Sequence, residues 1–334
     1  MPDTQTLLTP MSFVPVLLEK VWGGRRLASL GKMLPKPDAR YGESWEIADM
    51  SATSASGAGG GSFRSVICDG PLLGKTLHEA IAILGDALLP RRLLTPNAEF
   101  PLLIKFLDAS EHLSVQVHPS PAYAAANPGA HLKSECWYVL DAAPGASVYI
   151  GLAPGVTPAA FAALCRAGDP GVAEAMRRLP AEPGTMFNLP SGTVHALGAG
   201  VLVAEVQTPS DTTYRLFDWG RRGREMHIEQ GLASCLSDEP PEPRRLGDGE
   251  TSAELVKTDD FTVTEHRILP GVATRLDGPC VLIGVEGQAS LGATAPVFRG
   301  RTLLVPAAMA SVSLSATAPA RVLHVRFGHR GPRA

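Results

Sequence analysis

The sequence lacks the features that place a chain in a membrane or in an oxidising compartment. No apolar run approaches the roughly 20 residues that a membrane-spanning helix needs. The amino-terminal stretch MPDTQTLLTPMSF has an acidic residue and no basic segment before its apolar residues, so we expect no signal peptide. The five cysteines are odd in number, scattered and never spaced as Cys-x-x-Cys. This usage predicts reduced thiols in the cytoplasm and no cysteine zinc site, so any metal must be bound by nitrogen and oxygen ligands.

An excess of basic residues is also absent. The 30 Lys and Arg residues are outnumbered by 33 Asp and Glu residues, which gives a net charge of −3. This balance predicts no nucleic-acid partner and no anionic membrane partner. We therefore interpret the basic stretch WGRRGRE at 219–225 as a solvated turn. Arginines that contribute to function must then act locally, around a small anion.

The length and the distribution of turn-forming residues predict two compact units. A chain of 334 residues is too long for one small core. The stretch at 237–252 combines prolines, charges and glycines, which is typical of a domain boundary. We predict a first domain at 1–236, a linker at 237–252 and a second domain at 253–334. The Gly-, Ala- and Ser-rich stretch at 51–62 predicts a flexible loop.

The hydrophobic pattern predicts an all-β protein with helical insertions. Helical apolar spacing occurs at about 76–89 and at about 158–179, where Gly168 and Pro170 interrupt it. Nearly all the rest consists of short β-like runs separated by Gly and Pro. Many short strands at close spacing favour an antiparallel sandwich or barrel.

Two segments of the chain resemble each other. Residues 184–195 and 300–311 each place a glycine six positions before a proline and another residue five positions after that proline. That last residue is His195 in the first segment and Ser311 in the second. The comparison predicts a second barrel that lacks at least one polar ligand of the first.

The stretch LSVQVH at 113–118 carries the first candidate site. Because side chains alternate between the two faces of a strand, Ser114, Gln116 and His118 should share one face, opposite three apolar residues. Lys133 and Glu135 are also two positions apart and should share a face.

A further histidine, His195, follows the turn PSG, which suits a tight hairpin entering a strand. Together with Gln116, His118 and Glu135 it offers two imidazoles, a carboxylate and an amide oxygen. That mixture suits a borderline cation such as Zn²⁺. The alternative is that each histidine is a satisfied core residue and that Glu135 forms an ordinary surface pair with Lys133, worth about 0–1 kcal/mol.

Three further charged residues lie in apolar or turn contexts. Glu205 is flanked by valines, where desolvation would raise its pKa and suit it to proton transfer; the alternative is a structural carboxylate that fixes an arginine or a lysine. Lys105, within PLLIKFL, needs either a phosphate or a neighbouring carboxylate. Arg215 offers a planar fork of donors for a phosphate or an oxyanion; the alternative is an ion pair with Asp211 or Asp218.

Several motifs resemble those of a known family. The string GTMFNLPSGTVHAL resembles the second cupin motif, G-x5-P-x-G-x2-H. The segments FPLLIKFLDASEHLSVQVHPS, KSECWYVL and EVQTPSDTTYRLFDWGR, with KVWGG and GESWEI before them, resemble the type I mannose-6-phosphate isomerases. The matches run in order from about residue 13 to 221. The resemblance implies two cupin-like, jelly-roll β-barrel domains, the second without metal ligands.

The resemblance also implies roles for individual residues. The implied ligands of one Zn²⁺ ion per chain are Gln116, His118, Glu135 and His195. The implied catalytic residues are Arg215, Lys133 and Glu205. The implied substrate-binding residues are Lys105, Ser114 and Arg215.

By the same resemblance, the chain is expected to interconvert mannose 6-phosphate and fructose 6-phosphate through a cis-enediolate, as a cytoplasmic monomer or weak homodimer. Three alternatives remain open from the residues. They are a cupin enzyme acting on a related sugar phosphate, a non-haem iron oxygenase, and a sugar-binding cupin without turnover.

Overall fold

The computed structural model describes residues 4–54, 61–236, 238–292 and 295–328. The protein is mostly β, as predicted, and every pairing between its named strands is antiparallel. The strands form open sheets, and no closed barrel is found among the residues described. None of the described helices is long and apolar enough to cross a membrane.

The described residues among the first 217 supply thirteen strands. In chain order they are β1 (Val16–Gly24), β2 (Tyr41–Ile47), β3 (Asp49–Met50), β4 (Phe63–Arg64), β5 (Leu103–Ala109), β6 (Val115–Val117), β7 (Glu135–Ala142), β8 (Ser147–Leu152), β9 (Met176–Pro180), β10 (Met186–Leu189), β11 (His195–Leu197), β12 (Val201–Gln207) and β13 (Tyr214–Phe217). They form a sheet of order β1-β2-β5-β12-β7-β10, a second of order β13-β6-β11-β8-β9, and the short pair β3-β4.

The remaining strands form two smaller sheets. In chain order they are β14 (Ser252–Lys257), β15 (Phe261–Ile268), β16 (Thr274–Asp277), β17 (Cys280–Glu286), β18 (Gln288–Leu291), β19 (Ala295–Phe298), β20 (Thr302–Val305), β21 (Ser311–Ser315) and β22 (Ala320–Phe327). The sheet orders are β14-β15-β22-β17-β20 and β16-β21-β18-β19.

The helices are short and lie outside the sheets. The α-helices are α1 (Thr4–Leu7), α2 (Leu77–Leu84), α3 (Pro121–Ala126), α4 (Pro158–Ala167) and α5 (Ile228–Ser234), and 3₁₀ turns occur at Arg26–Leu30, Gly85–Ala87, Arg91–Leu93 and Pro170–Val172. The helix predicted at about 76–89 is found as α2, which begins with a capping box between Thr76 and Glu79 and continues into a 3₁₀ turn.

The helix predicted at about 158–179 is wrong in its second part. Helix α4 ends at Ala167, because Gly168 adopts a left-handed conformation with φ of 63°. Residues 176–180 are strand β9, which is the edge strand of its sheet and pairs with β8. Sheet pairing therefore overrides the apolar periodicity there.

The other two predicted irregular segments are only partly described. The loop predicted at 51–62 includes residues 55–60, which lie outside the described residues. In the linker predicted at 237–252, Leu246 is buried and Arg244 forms a β-bridge with Met186, so this part packs against the first half.

The two halves repeat one strand order. The series β5-β12-β7-β10 corresponds to β15-β22-β17-β20, and β6-β11-β8-β9 corresponds to β16-β21-β18-β19. Gly184 and Gly300 both have φ of 87°, and each comes two residues before a four-residue strand. The similarity seen between residues 184–195 and 300–311 therefore extends to the topology.

Alternation along the central strands divides the first sheet into two faces. Ile104 and Phe106 belong to an apolar core that also contains Val263 and Leu323 of the second half. Lys105, between them in the sequence, points to the opposite face and lines a cavity. One face of this sheet thus packs against the second half of the chain, and the other face lines the cavity.

The two equivalent glycines generate a matched stability prediction. Alanine at either position should cost about 1–2 kcal/mol for the left-handed backbone. A Cβ on Gly184 would meet only the guanidinium end of the Arg321 side chain, at 3.2 Å, whereas one on Gly300 would overlap the backbone carbonyl of Leu30. We expect Gly300→Ala to lower the urea midpoint clearly more than Gly184→Ala; equal midpoints would contradict the assigned packing.

Candidate metal centre and active site

Strand β6 places the predicted polar face toward a cavity. Val115 and Val117 are fully buried in an apolar cluster on one side. Ser114 and Gln116 line the cavity on the other side. His118, one residue beyond the strand, is also buried and belongs to a cluster of potential metal ligands. The alternation predicted for LSVQVH is confirmed.

The other two candidate ligands come from different sheets. His195 is the first residue of β11 and pairs with Gln116 of β6. Glu135 is the first residue of β7, in the facing sheet. The hairpin predicted before His195 is wrong, because β10 and β11 belong to different sheets. This crossing is what brings His195 opposite Glu135.

Glu135 lies between the two imidazoles. Its Oε1 is 3.2 Å from His195 Nε2, and its Oε2 is 3.5 Å from His118 Nε2. The Gln116 amide nitrogen lies 3.2 Å from His195 Nε2, and rotation of that amide by 180° would place its oxygen there instead. Among the described residues, the group formed by His118, Glu135 and His195 is the one cluster of at least three His, Cys, Asp or Glu side chains with metal-ligand spacing.

Backbone carbonyls fix the protonation of both histidines. His118 Nδ1 lies 2.9 Å from the Thr212 carbonyl oxygen, and His195 Nδ1 lies 2.8 Å from that of Thr193. A proton on each Nδ1 satisfies these carbonyls and leaves Nε2, which is directed toward Glu135, as the ring nitrogen available to a metal ion. Burial, reinforced by the charge of Lys133, lowers the pKa of His118 to about 3 and keeps its ring neutral.

The carboxylate is ionised and incompletely satisfied. Burial alone would raise the pKa of Glu135, but the charge of Lys133 holds it well below the usual value. Lys133 Nζ is 2.7 Å from Oε2, yet neither carboxylate oxygen has a partner with hydrogen-bond geometry among the described residues. Two imidazole nitrogens beside a buried carboxylate with unsatisfied oxygens fit a divalent cation.

A row of four side chains crosses the first sheet beside this cluster. Trp45, Lys105, Glu205 and Trp137 are direct neighbours on β2, β5, β12 and β7. Lys105 Nζ lies 3.3 Å from Glu205 Oε1 and 4.8 Å from the centre of a Trp45 ring. Trp137 Nε1 donates a 2.8 Å hydrogen bond to Glu205 Oε2. Of the two partners considered for Lys105, the structure contains the neighbouring carboxylate.

Burial acts in opposite directions on the pKa values of Glu205 and Lys133. Burial and the charge of Glu135 raise the pKa of Glu205, although Lys105 and Lys133 oppose the rise. Burial alone would lower the pKa of Lys133, but Glu135 and Glu205 outweigh it and raise that pKa. Lys133 is therefore a stable cation near neutral pH, and Glu205 is the better proton carrier.

Arg215 approaches the cluster from the second sheet. It pairs with Gln116 across β13 and β6 and lines the cavity. One terminal nitrogen donates to the Glu225 carbonyl, and the buried Nε has no hydrogen-bond partner among the described residues. In the part of the chain that the structure describes, Asp218 pairs with Arg221 and Arg224, and the alternative of an ion pair between Arg215 and Asp218 is not found.

One cavity of about 340 Å³ lies beside the cluster: Gln116 and Lys133 line it, whereas His118, Glu135 and His195 are not among its lining residues. Its lining includes every predicted catalytic and substrate-binding residue: Lys105, Ser114, Lys133, Glu205 and Arg215.

The sequence reasoning missed Glu43, which lies in the same cavity. Glu43 accepts a 2.7 Å hydrogen bond from Trp45 and lies 3.0 Å from Lys20. Burial would raise the pKa of Glu43, but Lys20 and Lys105 lower it to about 2. The sequence did contain a signal for it, because Glu43 and Trp45 are two positions apart in GESWEI and therefore share a face of the strand.

Comparisons with known proteins agree with this geometry. The sequence profile of phosphomannose isomerase type I, catalytic domain, matches residues 12–148. The mannose-6-phosphate isomerase ManA of Bacillus subtilis (strain 168) is 32% identical over 333 residues, covering 95% of this chain and 99% of that protein. The crystal structure of the mannose 6-phosphate isomerase from Bacillus subtilis superposes with a TM-score of 0.77 at 27% identity, covering 96% of this chain and 100% of that chain.

A more distant solved structure has the same fold. It is a mannose 6-phosphate isomerase bound with zinc and yttrium, with a TM-score of 0.71 at 18% identity. The match covers 96% of this chain and 99% of that chain.

Metal binding should depend on the clustered histidines. We expect His195→Ala to weaken divalent-metal binding at least about 100-fold, because it removes a ligand rather than an outer-shell partner. Metal content by mass spectrometry and thermal shift with added metal would measure this. The exposed His131, outside the cluster, provides the control His131→Ala. Unchanged metal affinity in Gln116→Ala would remove Gln116 from the ligand set.

Proposed function

Since the chain belongs to the type I mannose-6-phosphate isomerases, which are aldose–ketose isomerases, we propose that it interconverts mannose 6-phosphate and fructose 6-phosphate at one zinc ion. The proposed ligands are Gln116, His118, Glu135 and His195. The observation that carries the proposal is the buried Glu135 carboxylate, which lies between the imidazoles of His118 and His195 and contacts Lys133 in the wall of a cavity that is also lined by Glu205.

The choice of zinc rests on the donor set and on the zinc-bound structure of the same fold. When bound, the ion supplies a Lewis acid that stabilises negative charge on the substrate oxygens.

Glu205 is the proposed proton carrier of the reaction. Moving the carbonyl between C1 and C2 requires a proton to leave one carbon and return to the other, through a cis-enediolate. Glu205 has a raised pKa and a buried Oε1 without a hydrogen-bond partner. Lys105 and Trp137 hold its carboxylate in place from either side.

The cations of the site stabilise the charge that develops on the enediolate. Lys133 stays protonated beside Glu135, so we assign it to electrostatic stabilisation rather than to proton abstraction. Arg215 has the fork of donors suited to a developing oxyanion and to substrate binding. Ser114 and Lys105 line the cavity and are assigned to binding the sugar hydroxyl groups.

The two pairs of sheets are assigned to two cupin-like jelly-roll domains, at 1–236 and 253–334, joined by 237–252. The repeated strand order supports this division. In the second domain, Ser311 and Cys280 occupy the register positions of His195 and Glu135, and Cys280 lies in an apolar core. We therefore assign metal binding to the first domain alone. We also propose that the protein is a cytoplasmic monomer or weak homodimer.

Metal removal tests the reaction and the cofactor together. Formation of fructose 6-phosphate from mannose 6-phosphate, followed in a coupled assay, should vanish after chelation and return on addition of Zn²⁺. Tight zinc binding without turnover would overturn the substrate assignment and favour another sugar phosphate. Activity that returns with ferrous iron but not with zinc would overturn the metal assignment.

Replacement of Glu205 tests the proton carrier. Glu205→Gln should lower kcat by about 10²–10⁴-fold, because the amide cannot accept the proton. As a base, Glu205 must be ionised; its raised pKa places the acid limb of the kcat profile above that of an ordinary glutamate, and the limb should disappear in the variant. Glu19→Gln, at the rim of the same cavity, is the control. A kcat within threefold of the parent enzyme would exclude Glu205 as the carrier.

A further inference from the structure

The turn at 208–212, which follows strand β12, is buried. Thr208, Ser210 and Thr212 are 4%, 6% and 4% exposed. Backbone carbonyls in such a turn depend on donors from the protein, because little water reaches them. One side chain supplies two of these donors: Gln207 Nε2 donates hydrogen bonds to the carbonyls of Thr208 and Ser210.

The position of Gln207 at the end of β12 suits it to hold this turn. It is fully buried and lies in register with Leu103 of β5 and Glu135 of β7. A side-chain amide nitrogen carries two hydrogens, and the two carbonyls use both. The reversed amide would direct its oxygen at two carbonyl oxygens, so the contacts fix its orientation. Its Oε1 has no hydrogen-bond partner among the described residues, so the bonds from Nε2 hold the side chain.

The turn links Gln207 to a candidate metal ligand. Ser210 Oγ accepts a 3.3 Å hydrogen bond from the backbone N–H of Thr212. The carbonyl oxygen of Thr212 in turn lies 2.9 Å from His118 Nδ1. A proton donated there orients the ring and leaves Nε2 for a metal ion. Gln207 is therefore connected to the imidazole of His118 through two residues, Ser210 and Thr212.

The same turn also holds the beginning of β7. The backbone N–H of Thr208 donates to the Ser134 carbonyl at 3.0 Å, and that of Ser134 donates to Thr208 Oγ1 at 3.2 Å. Ser134 directly precedes Glu135, the carboxylate of the cluster. Two of the proposed ligands, on facing sheets, are thus held by one turn.

A second anchor keeps the turn folded if Gln207 is replaced. Asp211 Oδ1 accepts a 2.6 Å hydrogen bond from the backbone N–H of Ser54. This contact holds a side chain of the turn, whereas Gln207 holds the backbone carbonyl two residues before Thr212. We therefore expect loss of the Gln207 donors to loosen the Thr212 carbonyl without unfolding the turn.

We propose that Gln207 is a positioning residue of the metal centre: it holds the turn whose Thr212 carbonyl fixes His118 as a ligand. The inference rests on the metal site of the proposed function. It concerns a residue that is outside the proposed ligand set and is not among the lining residues of the cavity. Gln207 acts through the turn and not on the substrate.

The test compares the ring protons of two histidines in the metal-free protein by nitrogen-15 NMR. Gln207→Met keeps the length of the side chain and removes both donors. The Nδ1 proton of His118 should then exchange with water at least about tenfold faster, because local opening becomes easier. The Nδ1 proton of His195 is bound by the Thr193 carbonyl, outside this turn, and its exchange rate should stay within about twofold.

Zinc affinity provides the second measurement. Gln207→Met should weaken zinc binding about tenfold, the lower end of the effect of outer-shell partners, because Gln207 acts through Thr212. The control is Gln288→Met, at an exposed position of β18 in the second half of the chain. It should match the parent protein in zinc affinity and in both exchange rates.

Each outcome decides the inference. Unchanged exchange at His118, or equal acceleration at His118 and His195, would overturn the positioning role, and so would an unchanged zinc affinity. If Gln207→Met does not fold, Ser210→Ala removes the acceptor of the Thr212 N–H and should accelerate exchange at His118 alone. Neither measurement needs turnover, so a parent protein that does not isomerise mannose 6-phosphate fails the proposed function and still tests Gln207.

Discussion

A single buried carboxylate, Glu135, organises the active site. It is fully excluded from solvent, and an isolated charge in that position would be strongly destabilising. The protein surrounds it with Lys133 and the Nε2 atoms of His118 and His195, and both its oxygens lack a partner with hydrogen-bond geometry among the described residues. A divalent cation would complete this arrangement. The negative charge of Glu135 raises the pKa of Lys133 and adds to the effect of burial in raising that of Glu205, whereas burial and the charge of Lys133 keep the His118 ring neutral.

The two-faced central sheet allows such a charged cluster to exist inside a stable protein. Alternate residues of β5 and β12 pack against the second half of the chain, as Ile104 and Ala204 do, while Lys105 and Glu205 face the cavity. The second half thus completes the apolar core beneath the site. Its own interior, with Cys280 at the register position of Glu135, is filled with apolar side chains. Of the two halves that repeat the fold, the first lines the cavity, and the second has an interior of apolar side chains.

Charge pairing gives the cavity two different ends. The lysines are neutralised by carboxylates on neighbouring strands, whereas Arg221 and Arg224 share Asp218. With a net charge of −3, the chain as a whole does not attract anions. Any attraction of an anion to the cavity must therefore come from local charge.

The sequence by itself determined the residue types of the site and the direction in which many of them point. Alternation in LSVQVH placed Ser114, Gln116 and His118 on one face, because strand geometry is a local property of the backbone. The resemblance to the isomerase family, carried by short motifs, is confirmed by relatives that match along nearly the whole chain.

The tertiary structure decided which charges meet and where each element stops. Residues 176–180 became a strand because β8 offered an edge, and the turn before His195 crossed between sheets rather than closing a hairpin. The partner of Lys105 is Glu205, one hundred residues later, and Trp219 and Arg221 fix the turn that carries Arg224 by donating to the carbonyls of Leu113 and His112. Local periodicity specifies the face on which a side chain lies. Its ionic partner depends on the order in which distant strands assemble, and no short stretch of sequence contains that order.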